Sequence, residues 1–199
     1  MSNWKILGIE CLADAKFLKL FRVSWQRVTK TGFWSMVSRK SEPECISQIR
    51  RPDAAVIVPL LRQADGSYVL VAIKQFRIPL GGYHLSFPAG LIDAGETADK
   101  TATRELFEEC GLNVTEIVSI SPATYASSGM TDESAVYVFV KCEGTPSNVH
   151  NEESEDIETL LIKPEEYDDV LALKNRFNGL SISAKLWPVV FGLKNGMKF

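Results

Sequence analysis

The chain has 199 residues, of which 45% are hydrophobic and 24% are charged, and its formal net charge is −3. This composition is typical of a globular protein with one main domain and a core of ordinary size. The small acidic excess argues against binding to a nucleic-acid backbone, which requires lysine and arginine clustered on one face. We therefore expect a small-molecule partner, and neither a nucleic acid nor a membrane.

The first part of the chain reads as β-strands. Residues 17–39 alternate apolar and polar side chains around residues 30–32, which predicts a β-hairpin that turns there or two edge strands. Residues 54–61 and 67–76 predict two further strands, joined by a tight turn at Asp65-Gly66. Residues 54–61 are apolar almost throughout, so we expect this strand to be buried on both faces.

The middle of the chain predicts one long helix. A strand over residues 84–90 leads into a loop, and the helix is expected to run from Thr97 to Cys110. Gly111 stands where a C-cap glycine belongs. Near the C-terminus, residues 178–196 are expected to be mostly helical at their start and interrupted by Pro188. This order of elements predicts an α+β fold, with a mixed sheet between helices in an α/β/α sandwich.

The four cysteines and two histidines show no spacing typical of a metal site or a disulfide framework. We interpret the cysteines as reduced thiols. The N-terminal stretch has acidic residues where a signal peptide needs an uninterrupted apolar run, and no stretch approaches the roughly 18 apolar residues of a membrane span. The sequence thus predicts a cytoplasmic protein.

The predicted central helix carries three glutamates, Glu105, Glu108 and Glu109, within five positions. At about 100° per residue they share an arc of roughly 100°. Like charges three or four residues apart repel by a few tenths of a kcal/mol per pair, and Arg104 is the one nearby cation in the sequence. Mg²⁺ would offset this repulsion, because it prefers hard oxygen ligands and binds carboxylates together with substrate phosphates. A solvated acidic face is the alternative.

A longer pattern surrounds these glutamates in the stretch GLIDAGETADKTATRELFEECGL, residues 90–112. Its specified positions are Gly90, Glu96, Arg104, Glu105, Leu106, Glu108, Glu109, Gly111 and Leu112. The stretch resembles the Nudix box at all nine positions, which is a far more specific signal than a lone glycine motif. The resemblance implies a Nudix hydrolase, in which a mixed sheet lies between helices and a nucleoside diphosphate linked to another group is cleaved.

The resemblance also implies a metal site for Mg²⁺, with Mn²⁺ as a substitute. Its ligands are implied to be the backbone carbonyl of Ala89 and the side chains of Glu96, Glu105, Glu108 and Glu109. Arg104 and Glu108 are expected to assist catalysis, Arg104 by orienting a glutamate. The residue types agree with this chemistry, because cleaving a pyrophosphate requires a positioned water and neutralised phosphate oxygens and no serine or cysteine nucleophile.

Outside the box, the likeness extends to the ADP-ribose (ADP-sugar) pyrophosphatase branch, chiefly in KQFRIPLGGYHLSFPAGLIDAGE at residues 74–96. That branch acts as a homodimer whose N-terminal strands cross to the partner. We therefore expect residues 1–50 to form an N-terminal antiparallel β subdomain for dimerisation and base stacking. Residues 51–199 are expected to form the Nudix hydrolase domain.

In that branch two aromatic side chains sandwich the adenine, and the matching positions here are Phe17 and Trp34. Arg39 and Arg77 match positions near the diphosphate or the terminal ribose, and Met130 is expected to touch the sugar. Trp34 is the preferred stacking residue, since base stacking contributes on the order of 1–3 kcal/mol, with core or dimer packing as the alternative. Arg77 would be costly to bury without a partner, which favours a phosphate over a surface ion pair.

The acidic segment HNEESEDIE, residues 150–158, matches the loop that supplies the water-activating base in this branch. Glu155 is preferred, Glu153 is second, and Asp156 is an alternative one position away. The expected reaction converts ADP-ribose and water to AMP and ribose 5-phosphate. UDP-sugar and GDP-mannose hydrolases share this layout, and Ser128 stands where many ADP-ribose enzymes carry proline. A ligand sensor that binds without cleaving is a third alternative, although sensors usually degrade the box glutamates that are complete here.

Overall fold

The protein is described from a computed structural model over residues 3–47, 51–151 and 155–198. The backbone forms two compact units. The first comprises Met1–Asp53 and Ala123–Ala135, and the second comprises Ala54–Pro122 and Val136–Phe199. Within the described ranges, no helix has both the length and the apolar character needed to cross a membrane.

The first unit is built on a three-stranded antiparallel sheet of β1 (Trp4–Asp14), β2 (Lys19–Arg27) and β3 (Lys30–Ser38), in that order. Strand β1 is absent from the sequence-based prediction. Its register against β2 shifts between Ile6 and Gly8 and again after Cys11. Each shift breaks the two-residue alternation on which strand prediction depends.

The hairpin between β2 and β3 turns at Val28 and the residue after it, because Arg27 pairs with Lys30. The prediction of a turn at residues 30–32 is therefore wrong. Gly32 instead lies inside β3 opposite Trp25, and a Cβ at Gly32 would come within 2.6 Å of Trp25 Cζ2. The glycine makes room for an indole ring there, and Val28 takes the left-handed turn conformation with φ of 54°.

A buried ion-pair network joins the two chain segments of the first unit. Helix α1 (Glu44–Ser47) places the buried Glu44 carboxylate where it accepts hydrogen bonds from Lys40 Nζ and the Tyr125 hydroxyl, both at 2.8 Å. The Ser134 N–H donates to Asp53 Oδ2 at 2.9 Å, and Lys40 also pairs with Asp53. A buried carboxylate with several donors is stable, so this network holds residues 123–135 on the N-terminal segment.

The second unit contains a mixed sheet. Its strands neighbour one another in the order β12 (Ser181–Ile182), β6 (Gly82–Ser86), β5 (Tyr68–Arg77), β4 (Ala54–Arg62), β10 (Ser134–Glu143) and β8 (Asn113–Ile120). In addition, β11 (Ile157–Ile162) pairs with β5 and β7 (Ala89–Leu91) pairs with β4. The short strand β9 (Thr124–Tyr125) belongs to the first unit, where it pairs with Ser134 and Ala135 at the start of β10. The β12–β6 pairing is parallel and the pairings of β5 are antiparallel. Together with the helices below, this sheet confirms the predicted α+β class.

The hairpin of β4 and β5 confirms its prediction. Gly66 has a φ of 84° in the predicted Asp65-Gly66 turn, and the Gly66 N–H donates to the carbonyl of Gln63. Six of the nine positions of β4 are buried, and they include neighbouring residues that face opposite sides of the sheet, such as Val56 and Ile57. An uninterrupted apolar strand is thus placed at the centre of the sheet, as its composition indicates.

Helix α2 (Ala98–Cys110) also confirms its prediction, with Thr97 at the N-cap. Gly111 adopts a left-handed conformation with φ of 68°, and its N–H donates to the carbonyl of Phe107. Ala102, Leu106 and Cys110 are fully buried in the main core cluster of the sheet. This packing fixes the helix rotation and therefore the direction of its remaining faces.

The C-terminal segment differs from its prediction. Residues 178–196 begin with strand β12 and continue into α4 (Leu186–Lys194), which follows α3 (Tyr167–Ala172). Pro188 lies within the first turn of α4, where a missing N–H leaves no intrahelical hydrogen bond unmade. The expected helical start, and its interruption by Pro188, are therefore wrong.

Candidate active site

The edge of strand β7 lies directly against the carboxylate face of α2. The Ala89 N–H donates to Glu109 Oε2 at 3.2 Å. A Cβ at Gly90 would lie 1.7 Å from Glu105 Oε1, so only a glycine leaves room for this carboxylate. The loop between β7 and α2 therefore brings the first glycine of the motif and its glutamates into contact.

Arg104 binds three of the glutamates in this region. Its Nη1 donates to Glu105 Oε1 at 2.7 Å and to Glu108 Oε2 at 2.9 Å, and its Nη2 donates to Glu96 Oε2 at 3.1 Å. Thr101 also donates its hydroxyl to Glu96, and these hydrogen bonds lower the pKa of Glu96 to about 2. The sequence predicts that Arg104 orients one glutamate, whereas in the structure Arg104 donates hydrogen bonds to three.

Glu109 differs from these residues because it is buried, with 4% of its surface exposed. Burial, together with the neighbouring charges of Glu105 and Glu155, raises the pKa of Glu109 to about 8. Burial also raises the pKa of Glu105, against the effect of its Arg104 hydrogen bond. Two neighbouring carboxylates in a desolvated position are stabilised by a cation between them.

The donor chemistry fits the implied metal. Within residues 3–47, 51–151 and 155–198, no three Asp, Glu, His or Cys side chains come close enough together to hold a metal ion. Glu96, Glu105 and Glu108 each accept a hydrogen bond from the Arg104 guanidinium. The buried Glu109 carboxylate, with Glu105 beside Gly90, offers the hard oxygen atoms that Mg²⁺ prefers. The complete ligand set, including the carbonyl of Ala89, stays a prediction.

The three candidate bases lie in different surroundings. The charge of Glu155 acts on both Glu105 and Glu109, which places Glu155 near this pair. The carboxylate of Asp156 instead accepts a hydrogen bond from the Tyr83 hydroxyl at 2.6 Å. Glu153 lies outside the described residues. The structure thus brings Glu155 to the carboxylate cluster, while its role as the base stays a prediction.

Arg77 lies at the end of β5 and is exposed, so the expectation that it would be costly to bury does not apply. Its charge lowers the pKa of Glu109, which places it near the carboxylates. Arg77 and Ala89 line a cleft of about 310 Å³, together with polar residues that include Ser86 and Lys185. Neither of these two was identified from the sequence. No local signal marks Ser86, because its strand β6 also contains Tyr83 and His84, and Lys185 comes to the same cleft only through folding.

The predicted base-stacking residues belong to the first unit. Trp34 is 55% exposed, and its Nε1 donates to the carbonyl of Gly129 at 2.9 Å. Met130 is 66% exposed, and Trp34 and Met130 line a second cavity, of about 440 Å³. Its other walls include Trp25 and Tyr125. An aromatic cavity of this size accommodates a flat ring system.

Phe17 and Arg39 do not line this cavity within the described part of the unit. Phe17 is 69% exposed and lies just before β2, which begins at Lys19. Trp34 pairs with Val23, and Val23 is about 13 Å along β2 from Lys19. Phe17 and Trp34 of one chain therefore stand apart. The Arg39 Nε donates to a carboxylate oxygen of Glu133 at 2.7 Å, so this arginine has an ion-pair partner in its own unit.

Comparisons with known proteins place these observations in a family. Residues 51–184 match the family model described as the NUDIX domain. The ADP-sugar pyrophosphatase of Mus musculus is 31% identical over 136 residues, which are 68% of this chain and 60% of the mouse protein. The ADP-ribose pyrophosphatase of Saccharomyces cerevisiae is 32% identical over 147 residues, or 71% and 63% of the two chains. A solved structure, described as a crystal structure of ADP compounds hydrolase, shares the fold with a TM-score of 0.72 at 20% identity, covering 98% of this chain and 94% of that chain.

Proposed function

Because this chain belongs to the Nudix family, we propose that it hydrolyses the pyrophosphate bond of ADP-ribose or a related ADP-sugar, with Mg²⁺, to AMP and a sugar phosphate. The observation that best supports this proposal is the buried Glu109 carboxylate near Glu105 and Glu155. The curated names of the mouse and yeast relatives support the choice of an ADP-sugar. A cytoplasmic location, and the lack of nucleic-acid and membrane partners, stay predictions from the sequence.

The carboxylate cluster has a defined part in this reaction. The backbone carbonyl of Ala89 and the carboxylates of Glu96, Glu105, Glu108 and Glu109 would hold the Mg²⁺. When bound, Mg²⁺ neutralises phosphate oxygens and lowers the pKa of a water. Arg104 positions the glutamates through its hydrogen bonds. Hydrolysis of a pyrophosphate depends chiefly on such positioning and charge neutralisation.

The remaining groups act on the water and the substrate. Glu155 accepts the proton of the attacking water, because it is the described acid of its segment whose charge reaches Glu105 and Glu109. Glu153 is the second candidate for this role. Arg77 binds phosphate oxygens beside Ala89, since both residues line the same cleft.

A homodimer supplies the second stacking ring in this proposal. Phe17 of one copy and Trp34 of another enclose the adenine, because the two rings of one chain stand apart along β2. Met130, which lines the same cavity as Trp34, and Arg39 are the further substrate-binding residues in this proposal. The first unit exposes further large apolar side chains, including Leu7 and Phe33, which a second copy would cover.

Light scattering coupled to size-exclusion chromatography checks the dimer. We expect a molar mass twice that of one chain at micromolar protein. A mass equal to one chain, in preparations that hydrolyse ADP-ribose at full rate, contradicts the shared site.

Phe17→Ala should raise KM for ADP-ribose about tenfold, since base–aromatic stacking contributes on the order of 1–3 kcal/mol.

A substrate panel tests the reaction itself. We expect Mg²⁺-dependent release of AMP from ADP-ribose, abolished by EDTA and restored by added Mg²⁺. UDP-glucose and GDP-mannose serve as matched substrates with other bases. Faster cleavage of UDP-glucose or GDP-mannose than of ADP-ribose would show that ADP-ribose is not the preferred substrate. The proposed reaction class, pyrophosphate hydrolysis, would still hold. Tight binding of ADP-ribose without cleavage of any member of the panel favours a ligand sensor and contradicts the enzyme.

A further inference from the structure

The segment that leads into β11 is aligned by its pairing with β5. Ile157 pairs with Gln75, and the Phe76 N–H donates to the carbonyl of Asp156 at 3.2 Å, which continues the pairing by one residue. Ile157 belongs to the same core cluster as Leu106 of α2, so its side chain faces α2. Because successive residues of a strand face opposite sides of the sheet, the Asp156 side chain faces away from α2.

The same alternation turns the preceding acid, Glu155, toward α2. The charge of Glu155 acts on Glu105 and Glu109, which agrees with this orientation. Two neighbouring acids of one segment thus face opposite sides of the sheet, and a shift of the pairing by one residue would exchange them. Any contact that fixes Asp156 on the far face therefore also fixes Glu155 beside the glutamates of α2.

Tyr83 of β6 makes such a contact with Asp156. Its hydroxyl donates to Asp156 Oδ2 at 2.6 Å, which is a charge-assisted hydrogen bond. The Tyr83 ring is itself held, because it meets the Phe76 ring edge to face, with centroids 5.5 Å apart, and the Lys74 Nζ lies 4.7 Å from its centroid. The hydroxyl therefore occupies a defined position, from which it holds the Asp156 carboxylate.

A second contact attaches β11 to β5 on the same face of the sheet. Lys74 Nζ lies 2.8 Å from a carboxylate oxygen of Glu158, which is two residues beyond Asp156 and so faces the same side. Tyr83 is 38% exposed, and Asp156 and Glu158 are exposed as well. Exposed polar contacts of this kind contribute little to the free energy of unfolding. Their consequence is local, because they set the register of the residues before β11 and the face to which each side chain points.

We propose that Tyr83 is a positioning residue for hydrolysis, because it holds Asp156 on the far face of the sheet and so directs the Glu155 carboxylate toward α2. The assignment deepens the proposed function and rests on it for the role of Glu155 as the base. Tyr83 acts through Asp156 and Glu155 and contacts no substrate. It therefore raises kcat and leaves KM for ADP-ribose unchanged.

Steady-state kinetics of Tyr83→Phe at saturating Mg²⁺ tests this role, since the substitution removes the hydroxyl alone. We expect kcat to fall about tenfold at an unchanged KM, which is less than the roughly 10²-fold loss that follows a misplacement of about 1 Å, because the backbone hydrogen bond of Asp156 remains. Tyr68→Phe is the matched control, at a strand position of the same unit that is 37% exposed, and it should keep wild-type kinetics. Both variants should keep the wild-type Tm.

Combined substitutions show whether Tyr83 acts through Asp156 and Glu155. Residues that act as one unit have non-additive effects, so Tyr83→Phe should lower kcat no further in Asp156→Ala or in Glu155→Gln. Each of these two backgrounds should by itself have a lower kcat than the wild type. A wild-type kcat in any of the three single variants overturns the assignment. So does a further loss of the same size in either background, or a rise in KM in place of the loss in kcat.

Hydrogen exchange followed by NMR separates this inference from the proposed function, because it needs no turnover. The Phe76 N–H that donates to Asp156 should exchange with deuterium severalfold faster in Tyr83→Phe than in the wild type or in Tyr68→Phe. An unchanged exchange rate overturns the anchoring of Asp156 by Tyr83. If the wild type hydrolyses no ADP-ribose while the exchange of Phe76 depends on Tyr83, the proposed function fails and the anchoring stands. If Glu155→Gln loses activity but Tyr83→Phe does not, the proposed function stands and this inference fails.

Discussion

Replacing Glu109 with glutamine is expected to lower kcat/KM for ADP-ribose by about 10²- to 10³-fold, the usual loss when one group that stabilises developing charge is removed. Glutamine keeps the size of the side chain and removes its negative charge, so the fold is retained while a metal ligand is lost. Glu109 is also the buried member of the cluster, and charge interactions are stronger in a buried position than in water, so the loss of its charge has a large effect. Steady-state kinetics over a range of Mg²⁺ concentrations provides the measurement.

Glu143→Gln is the matched control, because it makes the same change at an exposed position of β10. This control should keep wild-type kinetics. Mg²⁺ should raise the Tm of the wild type and of Glu143→Gln, since a ligand that binds only the folded state stabilises it. A Glu109→Gln protein with wild-type activity and the same Tm increase with Mg²⁺ excludes Glu109 as a ligand.

The same substitution has a pH-dependent effect on stability in EDTA. Glu109 has a pKa of about 8 in the folded protein and an ordinary value near 4.5 in the unfolded chain. Between these pH values, the folded state holds a proton that the unfolded state has released. This residue therefore lowers the free energy of unfolding as pH rises from about 4.5 to about 8. Relative to wild type, Glu109→Gln should gain stability over that interval.

Gly90→Ala is expected to lower kcat by about 10²-fold, the loss that follows a misplacement of roughly 1 Å near reacting groups. The added Cβ would lie 1.7 Å from Glu105 Oε1, so the carboxylate must move. The backbone at Gly90 does not have a positive φ, so alanine fits its conformation. The overlapping atoms end a flexible side chain, and alanine restricts the unfolded chain, so the free energy of unfolding should change by less than about 1 kcal/mol.

Gly82→Ala is the control for this second substitution. Gly82 also lies in a strand of the second unit without a positive φ, and the nearest atom to its added Cβ is 3.9 Å away. It should retain both activity and stability. Equal activity of Gly90→Ala and Gly82→Ala, measured at limiting Mg²⁺, shows that the position of Glu105 does not matter and would falsify the inferred role of Gly90.

The elements that were predicted correctly are those whose signals lie within a few residues of one another. Helix α2 has its N-cap at Thr97 and its C-cap at Gly111, and its glutamates share one face by helix geometry alone. The β4–β5 hairpin is similarly defined by an apolar run and a glycine turn. The wrong turn in the first hairpin shows the limit of this approach. Gly32 leaves room for the Trp25 ring on the neighbouring strand, and this contact cannot be read from the sequence near Gly32.

The sequence by itself determined the family, the carboxylate helix and the residue types that a pyrophosphatase requires, because a motif and a helix period depend on spacing along the chain. The tertiary structure decided that Arg104 holds three glutamates, that Glu109 is buried, and that Arg77 and Lys185 line one cleft. Burial and contacts between residues nearly one hundred positions apart arise only when the strands pair. Substrate recognition depends on those contacts, so spacing alone predicts the reaction class and the fold decides how the substrate is bound.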